Sequence, residues 1–154
     1  MDLDEIDYHL LGLVQVDATL PLHVLGDRIG LSPSAVQRRL TRLRTAGVIR
    51  AEVALVDQRA VAAGQTAVVL VALVDDDPDH HDGFRERMLA EACVQQCYCI
   101  VGQWDFVVVL VTADLAENRA VSRRLFGPGS AVHRYETLPS YESVKLGHTV
   151  PLPS

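Results

Sequence analysis

The segment Leu31-Ser32-Pro33-Ser34-Ala35-Val36-Gln37-Arg38-Arg39-Leu40-Thr41-Arg42-Leu43-Arg44-Thr45-Ala46-Gly47 decides the reading of the chain. Ser32 can cap a helix, and Pro33 suits the first helical position, where its missing N–H costs nothing. Gly47 marks the stop. Between them Val36, Leu40 and Leu43 repeat at four and three residues, the period of a buried helical stripe. Ser34, Gln37, Arg38, Thr41, Arg42 and Arg44 therefore point outward. Just upstream, Pro21 fits the first turn of a short helix with Leu22, Leu25 and Ile29 on its apolar face, ended by Gly30. A first helix carries Ile6, Leu10, Leu13 and Val14 on one face, with Asp2 or Asp4 near its positive end. Helix, glycine-containing turn and polar-faced helix form a helix-turn-helix arrangement.

Charge supports this reading through its distribution. The chain has 154 residues and a net charge of -6. Yet between Asp27 and Glu52 there is no acid, while Arg28, Arg38, Arg39, Arg42, Arg44 and Arg50 fall inside that window. A local basic face on an acidic protein is an electrostatic footprint for double-stranded DNA. The polar face of the third helix is the natural reader, with Ser32, Ser34, Gln37, Arg38, Arg39, Thr41, Arg42 and Arg44 as candidate contacts. Each has the plainer reading of a solvated helix residue. Arg39, nearest the core edge, can instead pair with an acid on the first helix.

Past Gly47 the periodicity changes. Val48 to Val56 reads as an extended connector, and strand-like runs follow at Thr66 to Val74, Val94 to Val101, Phe106 to Thr112 and Val132 to Leu138. Helical patterns separate them: Pro78 to Ala92, with Phe84, Met88 and Leu89 on one face, and Leu115 to Phe126 before Gly127-Pro128-Gly129. Only Gly102 to Asp105 separates the second and third strands, which is hairpin length. The order βαββαβ is the ferredoxin-like arrangement, with two helices on one sheet face and an apolar face left for another subunit. The fold class is α+β: a helix-turn-helix (winged-helix-like) domain at 1–50, a hinge strand and linker at 51–65, and a ferredoxin-like domain at 66–154.

Composition excludes several classes. With 49% hydrophobic and 22% charged residues, the chain is neither disordered nor fibrous. Its longest apolar runs, Ala67 to Val74 and Phe106 to Val111, are far shorter than the roughly 20 residues of a membrane span. An acidic N-terminus and three crowded cysteines, Cys93, Cys97 and Cys99, point to a reducing cytoplasm. Cys97 and Cys99 read as buried free thiols, and His80-His81 as surface residues at a helix start. No metal site, cofactor motif or catalytic constellation is visible. Gly102-Gln103-Trp104-Asp105 has two readings: a ligand-gripping loop whose carboxylate receives an ammonium group, or an ordinary hairpin turn.

These residues together resemble the Lrp/AsnC family of transcriptional regulators. The resemblance rests on Leu3-Asp4-Glu5-Ile6-Asp7, the Leu31 to Leu43 segment, Gly47-Val48-Ile49, Val101-Gly102-Gln103-Trp104-Asp105 and Val144-Lys145. It implies homodimers formed through the sheet faces, assembly to octamers, and an amino acid or similar small effector bound where dimers meet. Gly102 and Asp105 match the ligand-turn motif, and Tyr98, Ile100, Gln103 and Trp104 lie beside it. Thr137, Pro139 and Ser140 of an adjacent subunit would complete the pocket. The chain departs from the family pattern at Pro21, Val24, Arg44 and the bulky Trp104. The leading reading is an effector-responsive DNA-binding regulator. An architectural DNA-wrapping protein needs the same helix but no pocket, and an enzyme would leave the basic module unexplained.

Overall fold

The computed structural model describes residues 2–58, 60–61 and 64–153 and divides into two compact units. One runs to Leu55 and includes the tail from Lys145 onward; the other is Val56–Val144. The sequence division places that tail with the second domain, whereas it groups with the first unit. The reason is local. Leu152 packs against the helical core, and Gln15 holds the Val150 backbone, accepting its N–H at 2.7 Å and donating to its carbonyl at 3.3 Å.

The first unit has three helices, α1 (Glu5–Val16), α2 (Leu22–Ile29) and α3 (Pro33–Thr45). Asp4 caps α1 in a reciprocal box: its carboxylate accepts from the Asp7 N–H at 2.8 Å and the Asp7 carboxylate accepts from the Asp4 N–H at 3.2 Å. Ser32 caps α3 through the Ala35 N–H, and Pro33 occupies the first helical position. Pro21 stands at the cap of α2, one place before the first turn, and supplies no side-chain acceptor. Leu10, Leu25, Val36, Leu40 and Leu43 form the buried core. Tight closure of the α2–α3 turn depends on Gly26. The Leu31 N–H donates to its carbonyl at 3.0 Å, and a Cβ on Gly26 would stand 2.3 Å from the Leu31 carbonyl oxygen. Residues 46–57 contain no strand, so the described residues form neither a wing nor the expected hinge strand.

The second unit runs β1 (Gln65–Leu73), α4 (Pro78–Ala90), β2 (Val94–Cys99), β3 (Phe106–Thr112), α5 (Leu115–Phe126) and β4 (Val132–Pro139). The sheet order is β2-β3-β1-β4 with antiparallel neighbours, as the ferredoxin-like reading requires. Alternation fixes its faces. Val69, Val71, Phe106, Val108 and Leu110 pack with Phe84, Met88, Leu125 and Phe126 of the helices. Val68, Leu70, Val107, Val109 and Val111 lie on the opposite, helix-free face.

Two side-chain expectations fail. Leu89 is 88% exposed, because Phe84 and Met88, four residues apart, already define the inward stripe and Leu89 sits about 100° further round. Cys99 is exposed while Cys97 packs half-buried against the core, since β2 is an edge strand and ends at Cys99. Burial, followed by the Glu91 hydrogen bond, pushes the Cys93 thiol up to about 11, so it stays protonated near neutrality.

Candidate functional site

The exposed face of α3 carries Ser34, Gln37, Arg38 and Thr41. Ser32 and Ser34 hydroxyls lie 3.1 Å apart beside the helix start, and Gln37 Nε2 donates to Thr41 Oγ1 at 3.3 Å. The arginines differ among themselves. Arg39 Nη1 donates to Asp4 at 2.8 and 2.9 Å and to Asp7 at 2.8 Å, with its side chain only 22% exposed. Arg42 pairs with the other oxygen of Asp7, and Arg44 donates to Glu52 at 2.6 and 3.0 Å. Arg38 is the α3 arginine with no acidic partner among the described residues.

A window free of acids in the chain is thus not free of acids in space. Asp4 and Asp7 arrive from α1 and Glu52 from the connector. Asp7 is fully buried. Burial alone would raise its pKa, but hydrogen bonds from Arg39, the Asp4 backbone and Arg42 outweigh it and hold the carboxyl below the ordinary value. Arg39 therefore follows the alternative of pairing with the first helix, and Arg42 shares that arrangement.

The Gly102–Asp105 loop is held from the sheet side. Gly102 has φ +151°, a conformation that favours glycine. Asp105 Oδ2 accepts from the Leu73 N–H at 2.7 Å, its own N–H donates to Val71 at 2.9 Å, and its carbonyl accepts from Ile100 at 2.9 Å. Arg134 of β4, which sequence reasoning passes over, lies 4.3 Å above the Trp104 ring and donates to the Gln103 carbonyl at 3.4 Å. No local signal marks it: the sheet register brings it to the loop, because Arg134 pairs with Ala72 and Phe106 with Val71. Tyr98 is exposed on β2 and Ile100 is half-buried beside the loop. Thr137 and Pro139 pair with Val69 and Ala67, and the Ser140 N–H donates to Thr66 at 2.8 Å. These three lie toward the other end of β4, so one chain does not bring them to the loop. His80 is a half-exposed partner of Asp75 at 2.7 Å.

A helix-turn-helix unit joined to a ferredoxin-like unit defines a two-module regulator, with one module for DNA and one for a ligand. Comparison with known proteins agrees: residues 3–44 match the AsnC-type helix-turn-helix domain and residues 66–150 match the Lrp/AsnC ligand binding domain. The chain belongs to the Lrp/AsnC family of transcriptional regulators. It is 35% identical over 152 residues to an HTH-type transcriptional regulator of Sinorhizobium fredii, covering 99% of this chain and 90% of that protein. An AsnC family transcriptional regulator from Agrobacterium tumefaciens superposes with a TM-score of 0.89 at 26% identity, covering 97% of each chain. A Neisseria meningitidis transcriptional regulator, solved as a complex with L-methionine, shares the fold with a TM-score of 0.85 at 24% identity, again over 97% of each chain.

Proposed function

We propose that this protein is a sequence-specific DNA-binding regulator whose DNA binding or assembly responds to an amino acid or related small metabolite. The single observation that carries the DNA half is the exposed strip Ser34, Gln37, Arg38 and Thr41 on a capped α3. Gln37 and Arg38 have the donor groups that read base edges in the major groove, and Ser34 and Thr41 suit shorter contacts to bases or phosphates. Ser32 stands at the positive end of the helix, where a phosphate is favoured. Arg39 and Arg42 act by fixing α3 against α1, and Arg44 approaches the duplex only by leaving Glu52.

The ligand half rests on family membership and on the complex with L-methionine formed by the Neisseria relative. The helix-free sheet face, lined by five branched aliphatic residues, is the surface through which two copies pair, with further association toward an octamer. The acidic N-terminal stretch and the crowded free cysteines support a cytoplasmic site of action, and no helix among the described residues is long and apolar enough to cross a membrane.

The test is a fluorescence anisotropy titration of a duplex selected by the protein from a random pool. Arg38→Ala should weaken binding while the thermal melt stays unchanged. Binding by wild type that no metabolite alters, in a thermal-shift screen or in the titration, would leave the architectural reading in place.

A further inference from the structure

Where β1 gives way to α4, a cavity of about 460 Å³ opens between α4 and the connection from α5 to β4. Glycines clear it. Gly83 lies inside α4, where glycine disfavours the helix, and an added Cβ would meet only Arg87 Nη1, at 3.8 Å. Neither crowding nor backbone angle demands glycine there, and the consequence of having it is open space. Gly129 lines the facing wall, and the neighbouring Ala131 sits at φ +58°, a left-handed conformation that non-glycine residues seldom adopt. Such conformations cluster at binding sites.

The polar groups around this space are complementary in charge and incompletely paired. Arg87 Nη2 donates to the Ser130 carbonyl at 2.6 Å, and its guanidinium carbon lies 5.6 Å from the Phe84 ring centroid. Its Nε is buried without a hydrogen-bond partner among the described residues, a costly state for a guanidinium N–H, and the residue as a whole lines the cavity. Asp79 also lines the cavity, and its carboxylate makes no ion pair among the described residues. His80, held by Asp75, stands beside it, and Val74 and Val132 supply apolar wall. The volume falls within the range of about 300–1,000 Å³ usual for small-molecule sites.

We propose that this cavity is a binding site for an α-amino acid, with Arg87 receiving the carboxylate, Asp79 the ammonium, and Val74 and Val132 facing an apolar side chain. The inference rests on the reading of the second unit as a ligand-responsive module, and it places a site apart from the Gly102–Asp105 loop, where the Asp105 carboxylate already accepts the Leu73 N–H.

Isothermal titration of the full chain with the proteinogenic L-amino acids tests it, using Gly83→Leu to fill the cavity, Arg87→Met to remove the charge and Asp79→Asn at the exposed carboxylate. A melt without ligand shows which variants are folded; Gly83→Leu should melt no lower than wild type, since leucine favours the helix. The amino acid that binds wild type should lose about tenfold or more in affinity in each folded variant, the scale of one charged hydrogen bond. Its deaminated and decarboxylated analogues should bind more weakly than the parent. Unchanged affinity in folded Gly83→Leu and Asp79→Asn would overturn the cavity site while the ligand-responsive reading stands. No binding of any amino acid to wild type would overturn the cavity site, and if no other metabolite alters DNA binding either, the ligand-responsive reading falls with it.

Discussion

Asp7 shows how one buried charge organises the DNA-reading unit. It completes the α1 cap, receives Arg39 and Arg42, and so fixes the angle at which α3 leaves the core. Arg39→Ala should therefore cost about 1.5–3 kcal/mol in urea unfolding, the loss of charge-assisted bonds to a buried carboxylate. Arg38→Ala, at an exposed and unpaired position, should stay within about 0.5 kcal/mol of wild type. The two substitutions thus separate a positioning arginine from a contacting one. Asp7 also sets an acid limit. Its folded pKa lies below the unfolded value, so its contribution is complete above the unfolded carboxylate value and is lost as pH falls through the lower, folded one. A stability profile from neutral to acid pH should show this loss, and Asp7→Asn should flatten it while lowering stability at neutral pH. A steeper acid limb in Asp7→Asn would contradict this assignment.

At the scale of the element, the α2–α3 turn is set by a close backbone approach at Gly26, and the Gly102–Asp105 loop by the hydrogen bonds of Asp105. Gly26→Ala gains helix propensity but drives a Cβ into the Leu31 carbonyl oxygen. The collision involves backbone, so the turn must open, and a loss of about 1–3 kcal/mol is expected on thermal or urea unfolding. Stability at or above wild type would show that the turn tolerates a side chain. Asp105→Ala removes the bond that ties the start of β3 to the end of β1 and should lower stability by about 1.5–3 kcal/mol. These features were unevenly legible in the sequence. Helix caps, strand runs and the βαββαβ order were readable because capping, periodicity and turn chemistry are local. Ser32, Gly30 and the limits of α5 needed no tertiary information. The pairing of Arg39 with an acid of the first helix was readable as an alternative, but the partners of Arg42 and Arg44 were not, because Asp7 and Glu52 lie outside the α3 segment and reach it only in the folded chain. Leu89 misled because one step along a helix turns a side chain by about 100°, enough to leave the stripe set by Phe84 and Met88. Arg134 and Arg87 were missed for the same reason as Gly26, since their roles arise from contacts across elements.

The molecule as a whole joins a DNA-facing unit and a sheet-bearing unit through two chain crossings, one near Leu55 and one near Val144. The tail that makes the second crossing is fastened to α1 through Gln15, with Leu152 half-buried against the helical core, so it belongs to the first unit. The free apolar sheet face makes its own demand. Val109→Lys, at the centre of β3, should shift light-scattering mass toward the monomer of about 17 kDa. An unchanged mass would remove that face from the interface. The central claim, that α3 meets DNA through its exposed strip and chiefly through Arg38, is tested most directly by the salt dependence of affinity. Log affinity for a selected duplex is plotted against log salt for wild type and Arg38→Ala. A phosphate contact requires a uniform loss across sequences and a slope shallower by about 1. A base contact instead requires a loss of about 1–3 kcal/mol confined to one operator position. Identical affinity, slope and sequence preference in a folded Arg38→Ala protein would contradict the claim.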